Sequence, residues 1–283
     1  MSGGPGAGDR LHAGMRRHGP LCVGIDPHPG LLDAWGLADD VEGLRSFALP
    51  VLDAAAGSAA AIKPQVALFE RHGSRGLAVL EEVLAGARER DLPVVADAKR
   101  GDIGSTMAAY ADAWLGEGSA LAADAVTLSP YLGFESLRPA LDLAAETGRG
   151  TFVLALTSNP EGASVQHQGA PESVAAGIVA AARAENARRA WEYAGPCGLV
   201  VGATVGPALE ELGIDLAAFN GLILAPGYGA QGASEADLAR VFRGATERVL
   251  VTSSRGVLRH GPGPAALEAE IRRCNDALGE SFS

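Results

Sequence analysis

The sequence predicts a closed (β/α)8 barrel, a TIM barrel of the α/β class, formed as a single domain. Eight short apolar runs are mostly continuous instead of alternating, which is typical of parallel strands buried on both faces. Each run is followed by a segment with helical spacing of apolar residues. Eight such units in 283 residues match the usual size of this barrel. An open doubly wound sheet is the alternative, because strand–helix alternation does not prove closure.

Composition restricts the class of protein further. We expect a flexible N-terminus over residues 1–8, without the apolar core of a signal peptide, and one barrel domain over residues 9–283. The net charge of −11 argues against a nucleic-acid or membrane-surface partner, and no window is apolar enough for a membrane span. Cys22, Cys197 and Cys274 lie far apart, which predicts reduced thiols in a cytoplasmic protein.

The first half of the chain is expected to supply four strands. A short helix over residues 9–18 precedes the first strand, where the apolar run ends at Asp26 and Pro27. The second strand consists of small residues and ends in Lys63. Helical spacing of apolar residues predicts the helices between strands. The predicted strands cover residues 21–25, 59–62, 93–97 and 124–128, and helices are predicted at 41–56, around Leu77 to Ala87, at 105–115 and at 134–145.

The second half repeats the alternation with one irregularity. A long polar loop over residues 161–171 separates the fifth strand from an Ala-rich helix, predicted over residues 172–193. The last helix has Leu267, Ile271 and Leu278 on one face, at helical spacing. The predicted strands cover residues 151–156, 198–202, 222–225 and 249–252, with helices at 207–212 and 234–242.

Polar residues collect at the ends of the predicted strands. Carboxyl ends of strands carry the active sites of barrels, whereas scattered surface charge would fall on helices as well. This concentration therefore favours a functional site. The set comprises Asp26, Lys63, Asp97, Lys99, Ser158, Gln231 and Arg255.

The third strand ends in the pattern Asp97-x-Lys99-x-x-Asp102. Asp97 and Lys99 are two residues apart, so an extended backbone points both side chains to the same side. Charges at the end of a buried strand are costly unless they are paired. One interpretation is a structural ion pair. The other is a lysine acid whose affinity for its proton is raised by flanking carboxylates.

The run from Gly227 to Gly232 matches G-x-G-x-x-G between a strand and a helix, which fits a dinucleotide site. Only one strand follows it, however, and a dinucleotide fold needs more sheet downstream. Barrels commonly bind phosphate with the loops after strands seven and eight, so we predict a phosphate site there. The six histidines form no His-x-x-x-His pair, and no metal site is expected.

The ten residues from Asp97 to Thr106 resemble the signature of orotidine 5′-phosphate decarboxylases of the longer bacterial subgroup. Further matching stretches occur in the same order along the chain, so the resemblance extends over about residues 20 to 275. These stretches are residues 23–27, Lys63-Pro64, residues 157–160, residues 226–232 and Arg255-Gly256.

The resemblance implies decarboxylation of orotidine 5′-phosphate to uridine 5′-phosphate without a cofactor or metal. It also implies a homodimer in which each site is completed by the partner's loop. By position, Lys99 would protonate C6, Asp97 would face the substrate carboxylate, and Lys63 would join the charge network. Asp102 and Thr106 would come from the other subunit. The implied substrate contacts are Asp26 and Lys63 with the ribose, Ser158 with the pyrimidine, Gln231, Arg255 and Gly256 with the phosphate, and further contacts by Ile103 and Pro226.

Two departures from the family pattern and two rival functions accompany this resemblance. The stretch 202–206 lacks an arginine found in relatives, and the 161–171 loop has no assigned role. A metal-dependent sugar-phosphate decarboxylase or aldolase on a related barrel would need an acidic residue at the second strand, where this chain has Lys63. A non-catalytic nucleotide-binding barrel would not need Asp97, Lys99 and Asp102 together.

Overall fold

A computed structural model describes residues 5–229 and 232–283. Within these ranges the chain forms eight strands and thirteen α-helices in alternation. The strands are β1 Leu21–Ile25, β2 Ala61–Pro64, β3 Val95–Arg100, β4 Ala125–Leu128, β5 Gly150–Leu156, β6 Gly195–Val201, β7 Gly221–Pro226 and β8 Val249–Ser253.

The helices vary widely in length. The long ones pack around the sheet, and the short ones follow strand ends. They are α1 Ala7–His18, α2 Pro29–Ala34, α3 Val41–Ala55, α4 Val66–Glu70, α5 Gly73–Glu89, α6 Gly104–Leu115, α7 Arg138–Thr147, α8 Ala163–Gln166, α9 Val174–Asn186, α10 Gly206–Glu211, α11 Glu235–Val241, α12 Arg255–Leu258 and α13 Pro264–Phe282. Three 3₁₀ turns within the described ranges cover Phe134–Leu137, Pro160–Gly162 and Thr246–Arg248.

The sheet closes into a barrel. Its strands follow the order β2-β1-β8-β7-β6-β5-β4-β3, and every ladder is parallel. Parallel bridges from Ile62 to Val94 and from Gln65 to Asp97 join the two remaining edges. The predicted barrel is therefore confirmed, and the open sheet is excluded.

Apolar side chains fill two layers. One lies between the strands and the surrounding helices, and the other lies inside the barrel. Leu11 and Met15 of α1 pack against the interior layer, so α1 covers the amino-terminal end of the barrel. The close approach needs small residues, because a Cβ at Gly8 would lie 2.2 Å from the Ala194 carbonyl oxygen.

Several element boundaries differ from those predicted. Helix α1 begins at Ala7, two residues early, and Ala7 and Gly8 are buried in its contact with the barrel. Strand β3 continues beyond Asp97 to Arg100. The helix predicted over 172–193 ends at Asn186, because the buried Asn186 side chain bonds both the N–H and the carbonyl of Cys197.

The three cysteines, Cys22, Cys197 and Cys274, are free and buried, as expected for reduced thiols. Burial raises the pKa of Cys22 and of Cys197 to about 12. In the described ranges, the structure contains no helix with the length and apolarity required to span a membrane.

Candidate active site

A cavity of about 1060 Å³ opens at the carboxyl ends of the strands. Six of the seven strand-end residues selected from the sequence line it. They are Asp26, Lys63, Asp97, Lys99, Ser158 and Arg255. The seventh, Gln231, lies outside the described residues.

Asp97 is the centre of the charged cluster in this cavity. Lys63 Nζ donates to one carboxylate oxygen at 2.9 Å, and Lys99 Nζ donates to the other at 2.5 Å. Gln65 Nε2 at 3.1 Å and Thr127 Oγ1 at 3.0 Å add a further hydrogen bond to each oxygen. Each carboxylate oxygen therefore accepts two hydrogen bonds from side chains, which replace the water that a 9% exposed side chain has lost.

The two lysines differ in their surroundings. The Lys63 side chain is 7% exposed, whereas that of Lys99 is 47% exposed and borders the open part of the cavity. Burial alone would raise the pKa of Asp97, but Lys63 and Lys99 outweigh burial and hold it well below its usual range. Burial would lower the pKa of Lys63, yet Asp97 and Asp26 raise it above normal. Both groups therefore remain charged at neutral pH.

Lys99 reaches Asp97 from an unusual backbone conformation. Its φ is +47°, in the left-handed region, which costs a non-glycine residue about 1–3 kcal/mol. The register between β3 and β4 shifts between Ala96 and Arg100, as in a bulge. Thr127 Oγ1 accepts the Lys99 N–H at 2.9 Å and stabilises this conformation. The bulge thus re-aims the Lys99 amine toward Asp97.

Asp26 carries a free acceptor beside this cluster. Its Oδ1 atom is buried and has no hydrogen-bond partner among the described residues. A buried carboxylate oxygen without a donor is costly, and a ligand hydroxyl would satisfy it. Asp26 lines the cavity, so it is suited to bind hydroxyl groups there.

Tyr228 fixes the base of the glycine-rich loop after β7. Its hydroxyl donates to Glu235 at 2.6 Å. Gly229 N–H donates to the Ala233 carbonyl at 2.9 Å, and Ala233 N–H donates to the Gly227 carbonyl at 3.2 Å. Pro226, Gly227 and Tyr228 line the cavity. The described part of the loop is thus a narrow stem beside the cavity.

The end of β8 lies next to this stem. Arg255 lines the cavity, whereas Gly256 is not among its lining residues. A Cβ at Gly256 would lie 2.7 Å from Ser253 Oγ, so glycine allows the close turn after Arg255. Arg255 and the glycine-rich stem therefore line the same cavity, and the phosphate site there stays a prediction.

Besides Gly256, three predicted site residues do not line the cavity of their own chain. They are Asp102, Ile103 and Thr106, and Ile103 is 61% exposed. Asp102 Oδ1 accepts the N–H of Ile103 at 2.8 Å. Within one chain, Lys99 therefore bonds one carboxylate, Asp97, and is not flanked by two.

Three further residues line the cavity although no sequence pattern singled them out: Gln65, Thr127 and Gln166. Gln65 and Thr127 bond Asp97 directly, as described above. Both lie on strand ends, so the strand-end rule applied to β2 and β4 would have found them. Gln166 lies in helix α8, within the segment predicted as a loop, and no pattern indicated its position.

Metal ligands are not grouped in the described structure. No cluster of three or more histidine, cysteine, aspartate or glutamate side chains suited to a metal ion occurs in residues 5–229 and 232–283. Near the end of the second strand, Lys63 places an ammonium, which has no lone pair to offer a metal ion.

Comparisons with known proteins place the chain in a family. The family model of the orotidine 5′-phosphate decarboxylase/HUMPS family matches residues 19–269. A Streptomyces coelicolor protein named orotidine 5′-phosphate decarboxylase is 55% identical over 269 residues, 94% of each chain. A solved Streptomyces avermitilis structure has a TM-score of 0.93 at 54% identity and covers 100% of this chain and 97% of its own. The Leishmania donovani OMP decarboxylase structure has a TM-score of 0.77 at 30% identity, over 98% of this chain and 100% of its own.

Proposed function

The chain belongs to the orotidine 5′-phosphate decarboxylase/HUMPS family, and we propose that it converts orotidine 5′-phosphate to uridine 5′-phosphate and carbon dioxide. The reaction would be the last step of de novo pyrimidine synthesis and would need no cofactor. One observation carries the proposal: the Lys99 amine bonds Asp97 at 2.5 Å inside a cavity at the barrel mouth.

Decarboxylation requires stabilisation of a carbanion. When the bond from C6 to the carboxylate breaks, the electron pair stays on C6, in the ring plane and without a conjugated acceptor. A fixed ammonium stabilises this charge and then gives its proton to C6. We assign this role to Lys99, which becomes a neutral amine and regains a proton from solvent.

Asp97 and Lys63 prepare the site for that step. Asp97 would hold the Lys99 amine beside C6 and face the substrate carboxylate, whose charge is lost as carbon dioxide leaves. Lys63 keeps Asp97 ionised, because its ammonium lies 2.9 Å away and is itself buried. Lys63 would also share the ribose hydroxyls with Asp26.

Contacts far from C6 would bind the rest of the nucleotide. Ser158 would contact the pyrimidine, and Arg255 and Gly256, together with Gln231, would bind the phosphate beside Pro226. Binding energy from the phosphate can hold the site closed around C6 and so assist the chemical step.

A homodimer is part of the proposal. Ile103, Tyr131 and Leu132 are 61%, 78% and 54% exposed, and they follow β3 and β4 at the barrel mouth. A second copy of the chain covering them would bring Asp102 and Thr106 toward its partner's cavity. We also propose a cytoplasmic location, which suits the three free cysteines.

The direct test is the loss of orotidine 5′-phosphate absorbance, with and without EDTA. We expect turnover that EDTA does not change. A strict magnesium requirement would favour a metal-dependent sugar-phosphate enzyme, and uridine 5′-phosphate binding without turnover would favour a non-catalytic barrel.

Subunit mixing tests the shared site. Lys99→Ala and Asp102→Ala proteins should each be inactive alone. When equal amounts of the two variants exchange subunits, half of the dimers contain one subunit of each kind. Each of these dimers has one intact site of two, so activity should return to about one quarter of wild type. Mixing without any recovery would contradict a site completed by the partner.

A further inference from the structure

The segment after β5 folds back on itself through a pair of hydrogen bonds that we call the Thr157–Gln166 bridge. Gln166 Oε1 accepts the backbone N–H of Thr157 at 2.9 Å. Gln166 Nε2 donates to the Thr157 hydroxyl at 2.8 Å. One amide side chain thus joins the two ends of the ten-residue segment 157–166 at the wall of the cavity.

The direction of these hydrogen bonds is fixed by their chemistry. The backbone N–H of Thr157 can only donate, so the amide must present its oxygen to it and its NH₂ group to the hydroxyl. The hydroxyl is then free to donate its own hydrogen to Asn159 Oδ1 at 2.7 Å. Asn159 Nδ2 donates to Glu161 at 3.1 Å and continues the chain. Removing the Gln166 amide would therefore disorganise several bonds, since each one orients the next.

Ser158 lies inside this bonded segment and has little freedom on its other side. A Cβ at Gly202, after β6, would lie 3.1 Å from both the Cβ and the N of Ser158. A Cβ at Gly162 would lie 2.9 Å from Thr157 Oγ1. Two glycines thus let the chain pack closely around Ser158 and the bridge.

From this arrangement we infer that Gln166 is a positioning residue, which fixes Ser158 at the pyrimidine side of the cavity through Thr157. The inference rests on the proposed function, because it takes Ser158 as the pyrimidine contact. It gives a role to part of the 161–171 segment, for which the sequence suggested none. Gln166 would not contact the substrate itself; it would orient the Ser158 side chain, which contacts the pyrimidine.

A double-mutant cycle tests this dependence. Gln166→Ala should lower kcat/KM for orotidine 5′-phosphate about tenfold, because small displacements of a binding group are costly. In a Ser158→Ala protein, which has lost the group being positioned, Gln166→Ala should lower kcat/KM less than about twofold. Most of the loss should appear in KM and in the dissociation constant of uridine 5′-phosphate.

Matched variants separate positioning from general loss of structure. Gln168→Ala removes the same side chain two residues away, where it is exposed and does not line the cavity, and should leave kcat/KM unchanged. Thr157→Val removes only the hydroxyl and keeps the backbone N–H, so it should show a smaller loss of the same kind. If Gln166→Ala fails to fold, Thr157→Val takes its place in the cycle.

Three results of these experiments would overturn the positioning role of Gln166. Equal losses in the wild-type and Ser158→Ala backgrounds would overturn the inference, as would an unchanged kcat/KM. A lower melting temperature with unchanged KM would also overturn it, because the role would then be structural. Absence of turnover in the wild type would instead reject the proposed function, so the two failures are distinguishable.

Discussion

The two ends of the barrel stabilise buried carboxylates in different ways. At the amino-terminal end, Asp9 accepts the backbone N–H groups of Glu192, Tyr193 and Ala194 at 3.2, 2.8 and 3.2 Å. At the carboxyl end, Asp97 is bonded by four side chains, two of them lysines. One end uses fixed main-chain donors, and the other uses side chains that face a cavity.

This difference separates a structural from a chemical use of the same residue type. Backbone N–H groups cannot transfer a proton to a ligand, and Asp9 lies where α1 closes the barrel. An ammonium such as that of Lys99 carries a transferable proton and is 47% exposed. The charged cluster at the mouth therefore contains groups that can react, whereas Asp9 at the base fixes α1 to the chain before β6.

The strongest test of this contrast is Lys99→Ala. The variant loses both the proton donor and the positive charge beside C6, so kcat should fall at least about 10³-fold. Phosphate and ribose contacts remain, so the affinity for uridine 5′-phosphate should change only a few-fold. Absorbance assays and calorimetric titration measure the two quantities. Turnover within tenfold of wild type would refute the role of Lys99.

Removal of the central carboxylate should have the largest effect on stability. Asp97→Asn leaves the buried Lys63 ammonium without its main counter-charge, which should lower the free energy of unfolding by about 3 kcal/mol. Urea unfolding measures this change. Asp53→Asn is the matched control, because Asp53 pairs with Arg90 at the surface and such pairs contribute little. If the two substitutions lowered the free energy of unfolding equally, Asp97 would not stabilise a buried charge network.

A substitution at the base should affect stability but not catalysis. Asp9→Ala leaves three backbone N–H groups without their carboxylate, which should cost about 2 kcal/mol in the free energy of unfolding. At a temperature where the variant is folded, kcat/KM should match wild type. A specific fall in kcat with unchanged stability would mean that the two ends are coupled.

The sequence predicted the charged part of the mouth because strand ends meet at one edge of a parallel barrel. Lys63, Asp97 and Lys99 were found in this way. Gln65 and Thr127 were missed because their role depends on contacts across the barrel: both bond Asp97, which lies 32 and 30 residues away in the sequence. The left-handed backbone of Lys99 could not be predicted, since it depends on the bulge against β4.

Long-range contacts also limit what spacing can indicate. The alanine-rich pattern after residue 172 continues past Asn186, but the bonds from Asn186 to Cys197 of β6 end the helix. Gln166 makes its hydrogen bonds to Thr157, nine residues earlier, through a turn with no regular period. Tertiary partners, and not local preference, decide both positions.

The smallest predicted effect concerns how the stabilisation by Asp97 depends on pH. Because Lys63 and Lys99 outweigh burial and lower the pKa of Asp97, its protonation in the unfolded chain begins at a higher pH than in the folded protein. The contribution of ionised Asp97 to the free energy of unfolding is therefore complete above the pKa of an aspartate in the unfolded chain, about 4. It is lost as the pH falls further. The difference in unfolding free energy between wild type and Asp97→Asn should stay constant from about pH 8 to 5 and shrink only below about pH 4. Urea unfolding at stepped pH measures it, and a decrease already at about pH 6 would mean that the lysines do not hold the carboxylate ionised.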